Sequence, residues 1–164
     1  MITLTVATAD DARSIAALLT AVAGTLTVQY GTGHWSHGST DRGVLSMMRT
    51  ARVYVATQHD RAVATFALTT KKPWAIDTAY FAPAPRPLYL LSMAVDPSHQ
   101  GRGIGSLCVE HAKSLCRSWP ADAIRLDAYD ADAGAGPFYA KCGFREVGRV
   151  VYRKVPLTYF EWLA

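Results

Sequence analysis

The sequence predicts a single α/β domain with a largely antiparallel front half. Segments with the two-residue alternation of strands are interspersed with segments whose apolar residues recur at helical spacing. Half of the 164 residues are hydrophobic and 18% are charged, an ordinary globular balance in a chain long enough to bury a full core. The apolar run Leu88–Val95 has the length of a buried strand, so we expect it near the centre of the sheet. Residues 1–164 are therefore expected to form one domain.

The chain begins with a strand and a helix. Ile2–Val6 alternates apolar and polar residues, as strands do. Thr8 can cap a helix, and Asp11 follows three residues later in a variant of the capping box. The helical pattern is predicted to fade near Gly24, after the apolar residues Ile15, Leu18, Leu19 and Val22.

A second helix and a hairpin come next. The helix is expected to start at Ser39 or Asp41. Arg52–Thr57 and Ala62–Thr70 then have the composition of strands, and the short polar stretch between them is typical of a β-hairpin.

A long loop leads into the central strand. Lys71–Pro87 holds four of the eight prolines, which indicates a loop with at most a short extended piece at Ala79–Phe81. The strand Leu88–Val95 stops at Asp96-Pro97, because proline lacks an N–H group and restricts the residue before it.

The second half of the chain alternates helices and strands. The glycine-rich turn Gln100–Gly105 opens a helix that runs to about Trp119, and Ile124–Tyr129 is the next strand. A short helix should begin near Gly136, with the following proline in its first turn, and end at Gly143. The last two predicted strands are Arg145–Lys154 and Leu157–Leu163.

The composition argues against several classes of protein. The sequence contains 17 Lys and Arg and 13 Asp and Glu, and its basic residues do not form a run. Nucleic acid is therefore not an expected partner. No apolar run reaches the roughly 18 residues that span a membrane, and a cytoplasmic protein without a membrane partner is expected. The three cysteines, an odd number without metal-ligand spacing, predict reduced thiols and no metal site.

The turn Gln100–Gly105 is the strongest chemical signal in the sequence. Backbone N–H groups of a glycine-rich turn can approach an anion closely, and the dipole of the helix behind it favours negative charge. Arg102 adds a cation. Neither the Walker pattern nor the dinucleotide G-x-G-x-x-G spacing fits these glycines. A solvent-exposed turn that merely caps the helix is the alternative.

What does fit is Q-x-x-G-x-G at Gln100, Gly103 and Gly105, which resembles the coenzyme A pyrophosphate loop of the GNAT superfamily of N-acyltransferases. The predicted order of strands and helices is also the one expected of a GNAT domain. The resemblance therefore covers nearly the whole chain and implies a mixed central sheet of about six or seven strands flanked by about four helices.

A second motif strengthens the resemblance. GNAT enzymes carry N-x-x-A-x-x-x-Y-x-x-x-G-F after a strand, and Ala135, Tyr139, Gly143 and Phe144 match it in register. Asp132 stands where asparagine is usual. An ionised aspartate only accepts hydrogen bonds, so its contact with a cofactor is in question, and it can instead cap the short helix.

The resemblance implies an N-acetyltransferase that uses acetyl-CoA. The central strand would pair with the pantetheine arm, and the glycine turn would hold the pyrophosphate through main-chain N–H groups. The cofactor-binding residues implied in this way are Met93, Ala94, Val95, Gln100, Gly101, Arg102, Gly103, Ile104, Gly105, Ser106 and Asp132.

Tyr139 matches the tyrosine that the family uses as general acid. A phenol with a pKa of about 10 is protonated at neutral pH and can donate to a departing thiolate. The structural alternative is an aromatic ring packed beside Phe138 and Phe144. Many relatives place a glutamate base on the central strand, but Tyr89–Ser92 offers no carboxylate. The open candidates, beside an amine that arrives deprotonated, are Asp77, Asp127, His34 and His37.

The acceptor site is implied only by position. Tyr30, His34 and Trp35 fall where family members build it, and Trp74 and Tyr80 could form the opposite wall. Aromatic residues with few acids favour a small or partly apolar amine; a peptide amine and a homodimer also remain open. A non-catalytic coenzyme A sensor of the same fold is the alternative function.

Overall fold

The computed structural model describes residues 1–164, which form one seven-stranded sheet and four α-helices. The strand order is β1-β2-β3-β4-β5-β7-β6, and every neighbouring pair is antiparallel except β4 and β5. This arrangement confirms the predicted mixed sheet. The elements in chain order are β1 Thr3–Val6, α1 Ala12–Tyr30, α2 Asp41–Met48, β2 Arg52–Gln58, β3 Arg61–Thr69, β4 Pro87–Val95, α3 Ile104–Ser118, β5 Ala123–Tyr129, α4 Gly136–Lys141, β6 Arg145–Tyr152 and β7 Val155–Leu163.

Helices cover both faces of the sheet, because successive side chains of a strand point to opposite faces. On β2, Tyr54 belongs to the main core beneath α3, whereas Val53 and Val55 pack against α1 and α2. Ile124 of β5 also belongs to the main core. The two helical layers thus face each other across the sheet.

The sheet opens between β4 and β5. Their parallel pairing covers only Pro87–Tyr89 against Ala123–Arg125, and the strands separate beyond it. On its other side β4 pairs with β3 through a bulge, where Ser92 adopts a φ of +49° and two residues oppose Phe66. Because the bulge adds one residue to β4, the side chain of Met93 points to the main core and packs against it. The gap and the bulge together expose the end of β4 inside the domain.

The first helix is longer than the sequence pattern predicted. α1 continues past Gly24 to Tyr30 and ends at Gly31, which has a φ of +84°. The Thr27 hydroxyl lies 2.7 Å from the Ser36 hydroxyl and so ties the helix to the residues that follow it. The helix is long and apolar enough to cross a membrane, with a mean hydropathy of 1.2, but core helices of soluble proteins meet the same criterion. The expected absence of a membrane partner therefore stays a prediction.

Residues 70–86, which we call the strap, lie over the end of the sheet formed by β4, β5 and β7. Its backbone is held by buried polar side chains. The Tyr159 hydroxyl accepts from the Asp77 N–H at 3.1 Å, Glu161 accepts from the Ala82 N–H at 3.1 Å, and Arg125 donates to the Ala82 carbonyl at 3.0 Å. The strap is therefore anchored along its length.

The short extended piece predicted at Ala79–Phe81 is wrong. Thr78–Tyr80 forms a 3₁₀ turn instead, because the Asp77 carboxylate accepts a hydrogen bond from the Ala79 N–H at 3.0 Å. The start of α2 agrees with one of the predicted choices, since the Thr40 hydroxyl caps Asp41–Met48 by accepting from the Gly43 N–H.

Candidate functional site

A cavity of about 480 Å³ lies at the end of β4, beyond the residues that pair with β5. Val22 and Leu26 of α1 line it from one face of the sheet, and Phe138 of α4 lines it from the other. Sequence analysis did not assign Val22 and Leu26 to the site, because a helix predicted to fade near Gly24 gave no reason to place its last turns there. It also left out four other lining residues: His99, Ala133, Ala135 and Phe138. Of the predicted cofactor residues, all but Arg102 and Asp132 line this cavity together with Tyr139: Met93, Ala94, Val95, Gln100, Gly101, Gly103, Ile104, Gly105 and Ser106.

The turn before α3 is shaped by its glycines. Gly101 and Gly103 have φ values of +75° and +80°, a conformation that side-chain-bearing residues rarely adopt. No atom lies within 4 Å of the place that a Cβ would occupy at either residue, so both face open space. The Gln100 side chain donates to the Val95 carbonyl at 3.1 Å and holds the turn against the end of β4.

The first turn of α3 presents unpaired N–H groups to the cavity. The first helical bond of the 15-residue helix runs from the Leu107 N–H to the Gly103 carbonyl, at 3.0 Å. The N–H groups of Ile104, Gly105 and Ser106 therefore have no partner within the helix. They lie at the positive end of the helix dipole, and no carboxylate lines the cavity. This donor set fits the diphosphate of coenzyme A.

Tyr139 is fixed at the inner end of the cavity. Its side chain is only 7% exposed, and its hydroxyl makes no hydrogen bond within the protein while its residue lines the cavity. Burial raises the pKa of Tyr139 above its ordinary value, so the phenol keeps its proton at neutral pH. Three rings hold it in place at centroid distances of 5.2, 5.7 and 6.2 Å: Phe138, Phe144 and Phe160.

A buried lysine positions the short helix that carries Tyr139. The Lys113 ammonium group donates to the Cys142 carbonyl at 2.6 Å, at the end of α4, and to Glu110 at 2.7 Å. Because Lys113 belongs to α3, this contact fixes α4 relative to the helix whose first turn lines the cavity.

Several predicted site residues lie elsewhere. Arg102 and Asp132 are exposed and do not line the cavity. The prediction that Asp132 caps α4 is wrong, since Ala135 occupies the N-cap position without a side-chain hydrogen bond. Trp74 and Tyr80 line a separate cavity of about 400 Å³ between the strap and β6.

The residues between α1 and α2, which we call the bridge segment (residues 31–40), reach across the gap to β5. The Tyr129 hydroxyl donates to the His34 carbonyl at 3.1 Å. The Tyr129 ring stacks on the His34 ring at 6.5 Å and meets the edge of the Trp35 ring at 6.2 Å. Tyr30 is 40% exposed at the end of α1, and its hydroxyl accepts only from Gln29. His34 and Trp35 thus form an aromatic cluster with Tyr129, which the sequence did not single out.

The candidate proton acceptors differ in their surroundings. Asp77 caps the turn in the strap, and His34 and His37 are exposed. Asp127 is half-buried on β5, where burial raises the pKa of its carboxyl group and no hydrogen bond or ion pair offsets that effect. After burial, the charge of Asp127 also contributes to the raised pKa of Tyr139.

Comparison with known proteins identifies the family and the fold. The model of the acetyltransferase (GNAT) family matches residues 22–144. No curated protein sequence matches the chain significantly. Among solved structures, an N-acetyltransferase from Staphylococcus aureus Mu50 superposes with a TM-score of 0.72 at 14% identity, over 99% of this chain and 98% of its own. The ribosomal-protein-S18-alanine N-acetyltransferase from Escherichia coli gives 0.73 at 15% identity, over 99% and 94%. A Salmonella typhimurium protein with its cofactor acetyl-CoA gives 0.70 at 14% identity, over 99% and 93%. At these identities the likeness shows a shared fold.

Proposed function

This chain belongs to the acetyltransferase (GNAT) family, and from that premise we propose that it is an N-acetyltransferase that moves the acetyl group of acetyl-CoA directly to a small-molecule amine. One observation carries the proposal. The anion-binding turn before α3 and the free hydroxyl of Tyr139 belong to a single cavity, at the place where β4 no longer pairs with β5. The Salmonella structure, which holds acetyl-CoA in the same fold, supports the choice of cofactor.

Different residues of the protein bind the cofactor and donate the proton in the proposed reaction. Bound acetyl-CoA supplies a thioester whose carbonyl carbon forms a bond to the amine nitrogen as the bond to sulfur breaks. The N–H groups of Ile104, Gly105 and Ser106 bind the diphosphate and thereby fix the far end of the thioester arm. Tyr139 donates its hydroxyl proton to the departing sulfur, and the proton lost by the amine passes to a carboxylate or to water.

Direct transfer is favoured over a covalent cysteine intermediate. Burial raises the pKa of the Cys108 thiol to about 11, so it stays protonated. Cys142 packs against the main core at the end of α4, and its residue does not line the cavity. Neither thiol has the exposed, activated setting of a nucleophile.

A coenzyme A sensor without turnover is the second candidate. One observation favours it: the end of β4 offers no carboxylate, and its exposed polar side chain is Ser92. Such a module would need the cavity and the turn but not the hydroxyl of Tyr139.

Thiol release and calorimetry distinguish these functions. We expect the purified protein to bind acetyl-CoA and to release free thiol only when an amine from a panel of aralkyl amines, polyamines and peptide N-termini is added. Tight acetyl-CoA binding without thiol release from any amine would support the sensor. Failure to bind acetyl-CoA would refute both functions.

A further inference from the structure

Asp127 occupies the part of β5 that faces the gap. Parallel pairing with β4 ends at Arg125, and Asp127 lies two residues further along the strand. Because side chains alternate, Asp127 shares the face of Arg125 and Tyr129, on which the strap and the bridge segment pack. Across the strand pair it lies opposite Tyr159 of β7.

The protein supplies this carboxylate with no partner. The Arg125 guanidinium on the same face is turned to the Tyr89 hydroxyl and the Ala82 carbonyl. The Tyr159 hydroxyl is occupied by the strap, and the Tyr129 hydroxyl donates to the bridge segment. Partial burial of a carboxylate without a counter-charge costs free energy, and groups of this kind are concentrated at functional sites.

A flat aromatic surface lies beside the carboxylate. Tyr129 is the next residue on the same face of β5, about 7 Å along the strand, and His34 and Trp35 extend its surface into a cluster of three rings. Aromatic faces attract cations and bury flat apolar groups. An ammonium group at Asp127 would therefore place the carbon atoms of its substituent against this cluster.

The charges around the cluster limit the acceptor further. The nearest acid along the chain, Asp130, pairs with the Arg149 guanidinium at 3.5 Å. The one cation on the same face of β5, Arg125, donates to Tyr89 and to the strap, and its remaining Nε–H group is buried without a partner, so an acceptor carboxylate cannot reach it from solvent. The site offers one anion and one apolar wall.

From this placement we infer that Asp127 binds the acceptor as an ammonium ion and takes its proton, and that the acceptor is a monoamine with a flat apolar substituent and no carboxylate. The inference rests on the proposed function. The first proton leaves the ammonium nitrogen for the Asp127 carboxylate. The free amine then forms the C–N bond as the C–S bond breaks, Tyr139 protonates the departing sulfur, and the second proton of the nitrogen passes through water to the Tyr139 phenolate.

The pH dependence follows from the groups that face Asp127. These are Arg125 and Tyr129 on β5, Tyr159 on β7, Asp77 of the strap, which also acts on Tyr159, and His34 of the bridge segment, which stacks on Tyr129; the charge of Asp127 also acts on Tyr139 of α4. Burial raises the pKa of Asp127, so its charged form is lost as pH falls through that raised value. Turnover at low amine concentration should fall on the acidic side, and Asp127→Asn should remove that limb of the profile.

Amine binding tests the inference without turnover. The probe is 2-phenylethylamine, titrated by calorimetry into protein saturated with coenzyme A. We expect Asp127→Asn to weaken its binding about tenfold or more, Asp127→Glu to restore part of it, and the neighbouring Asp130→Asn to leave it unchanged. Thermal unfolding of each variant confirms that the fold is retained, and Asp127→Glu keeps the test valid if the asparagine variant does not fold.

The choice of acceptor is tested by thiol release with 2-phenylethylamine, 1,4-diaminobutane and phenylalanine. Preference for 2-phenylethylamine with loss of activity in Asp127→Asn supports the inference. Preference for the diamine or the amino acid, or unchanged amine binding in Asp127→Asn, overturns it while the proposed function stands. If no amine releases thiol although acetyl-CoA binds, the proposed function fails, and the calorimetric comparison still decides whether Asp127 binds the ammonium ion.

Discussion

Replacing Tyr139 by phenylalanine removes one atom from the proposed proton donor and almost nothing else. The ring keeps its contacts with Phe138, Phe144 and Phe160. Its hydroxyl makes no hydrogen bond within the protein, so the free energy of unfolding should change by no more than about 0.5 kcal/mol. Acid catalysis by a positioned side chain contributes roughly 10²–10⁴ in rate, which corresponds to about 2.7–5.4 kcal/mol in the activation free energy. We expect kcat to fall by that factor.

Thiol release at saturating amine measures kcat, and calorimetry measures acetyl-CoA affinity, which should stay within about twofold because the turn before α3 is untouched. The matched control is Tyr54→Phe. Tyr54 also carries a buried hydroxyl without a partner, but it lies on β2 under α3 and does not line the cavity. Its replacement should leave kcat unchanged and keep or raise stability. Wild-type turnover in Tyr139→Phe would remove the phenol from the acid role, and an equal fall in both variants would point to a general packing effect.

Three further substitutions test the turn, the strap and α1. Gly103→Glu should abolish acetyl-CoA binding in calorimetry, because it puts a negative charge where the diphosphate binds. The control variant Gly103→Ala introduces only the strain of a positive φ, about 1–2 kcal/mol, without that charge. Retained affinity in the glutamate variant would mean that the phosphates bind elsewhere. Glu161→Gln should lower the free energy of unfolding by about 1–3 kcal/mol. The residue is 1% exposed, and its carboxylate accepts hydrogen bonds from the Ala82 N–H and the Arg145 guanidinium. An unchanged free energy in urea unfolding would mean that the strap does not depend on this charge. Gly24→Ala should raise the free energy of unfolding by about 0.5–1 kcal/mol. The residue is exposed within α1, and no atom lies within 4 Å of the place that a Cβ would occupy. A lower melting temperature would contradict a helix that is continuous through this residue.

The sequence predicted features that local chemistry determines. The start of α4 at Gly136 and the end of β4 before Pro97 follow from what proline permits, and both agree with the structure. The glycine-rich turn before α3 was predicted from its composition, and Gly101 and Gly103 adopt a positive φ there.

Features that depend on distant contacts were missed. α1 continues beyond Gly24, where Val22 and Leu26 line the cavity with residues from three other elements, and one glycine costs only about 1 kcal/mol against such packing. Tyr129 became part of the site because the bridge segment reaches it across the gap. Asp132 stands at the motif position where asparagine is usual, yet the conformation of the loop before α4 leaves it in solvent.

The gap between β4 and β5 leaves two strand edges inside the sheet. Unpaired edges invite strands from other molecules and are a common route to aggregation. In this chain the C-terminal ends of α1 and the bridge segment cover one side of the opening, and α4 covers the other. We expect these covering elements to hinder the entry of a foreign polypeptide strand. They thus offset the tendency to aggregate that unpaired strand edges at the centre of a domain would otherwise carry.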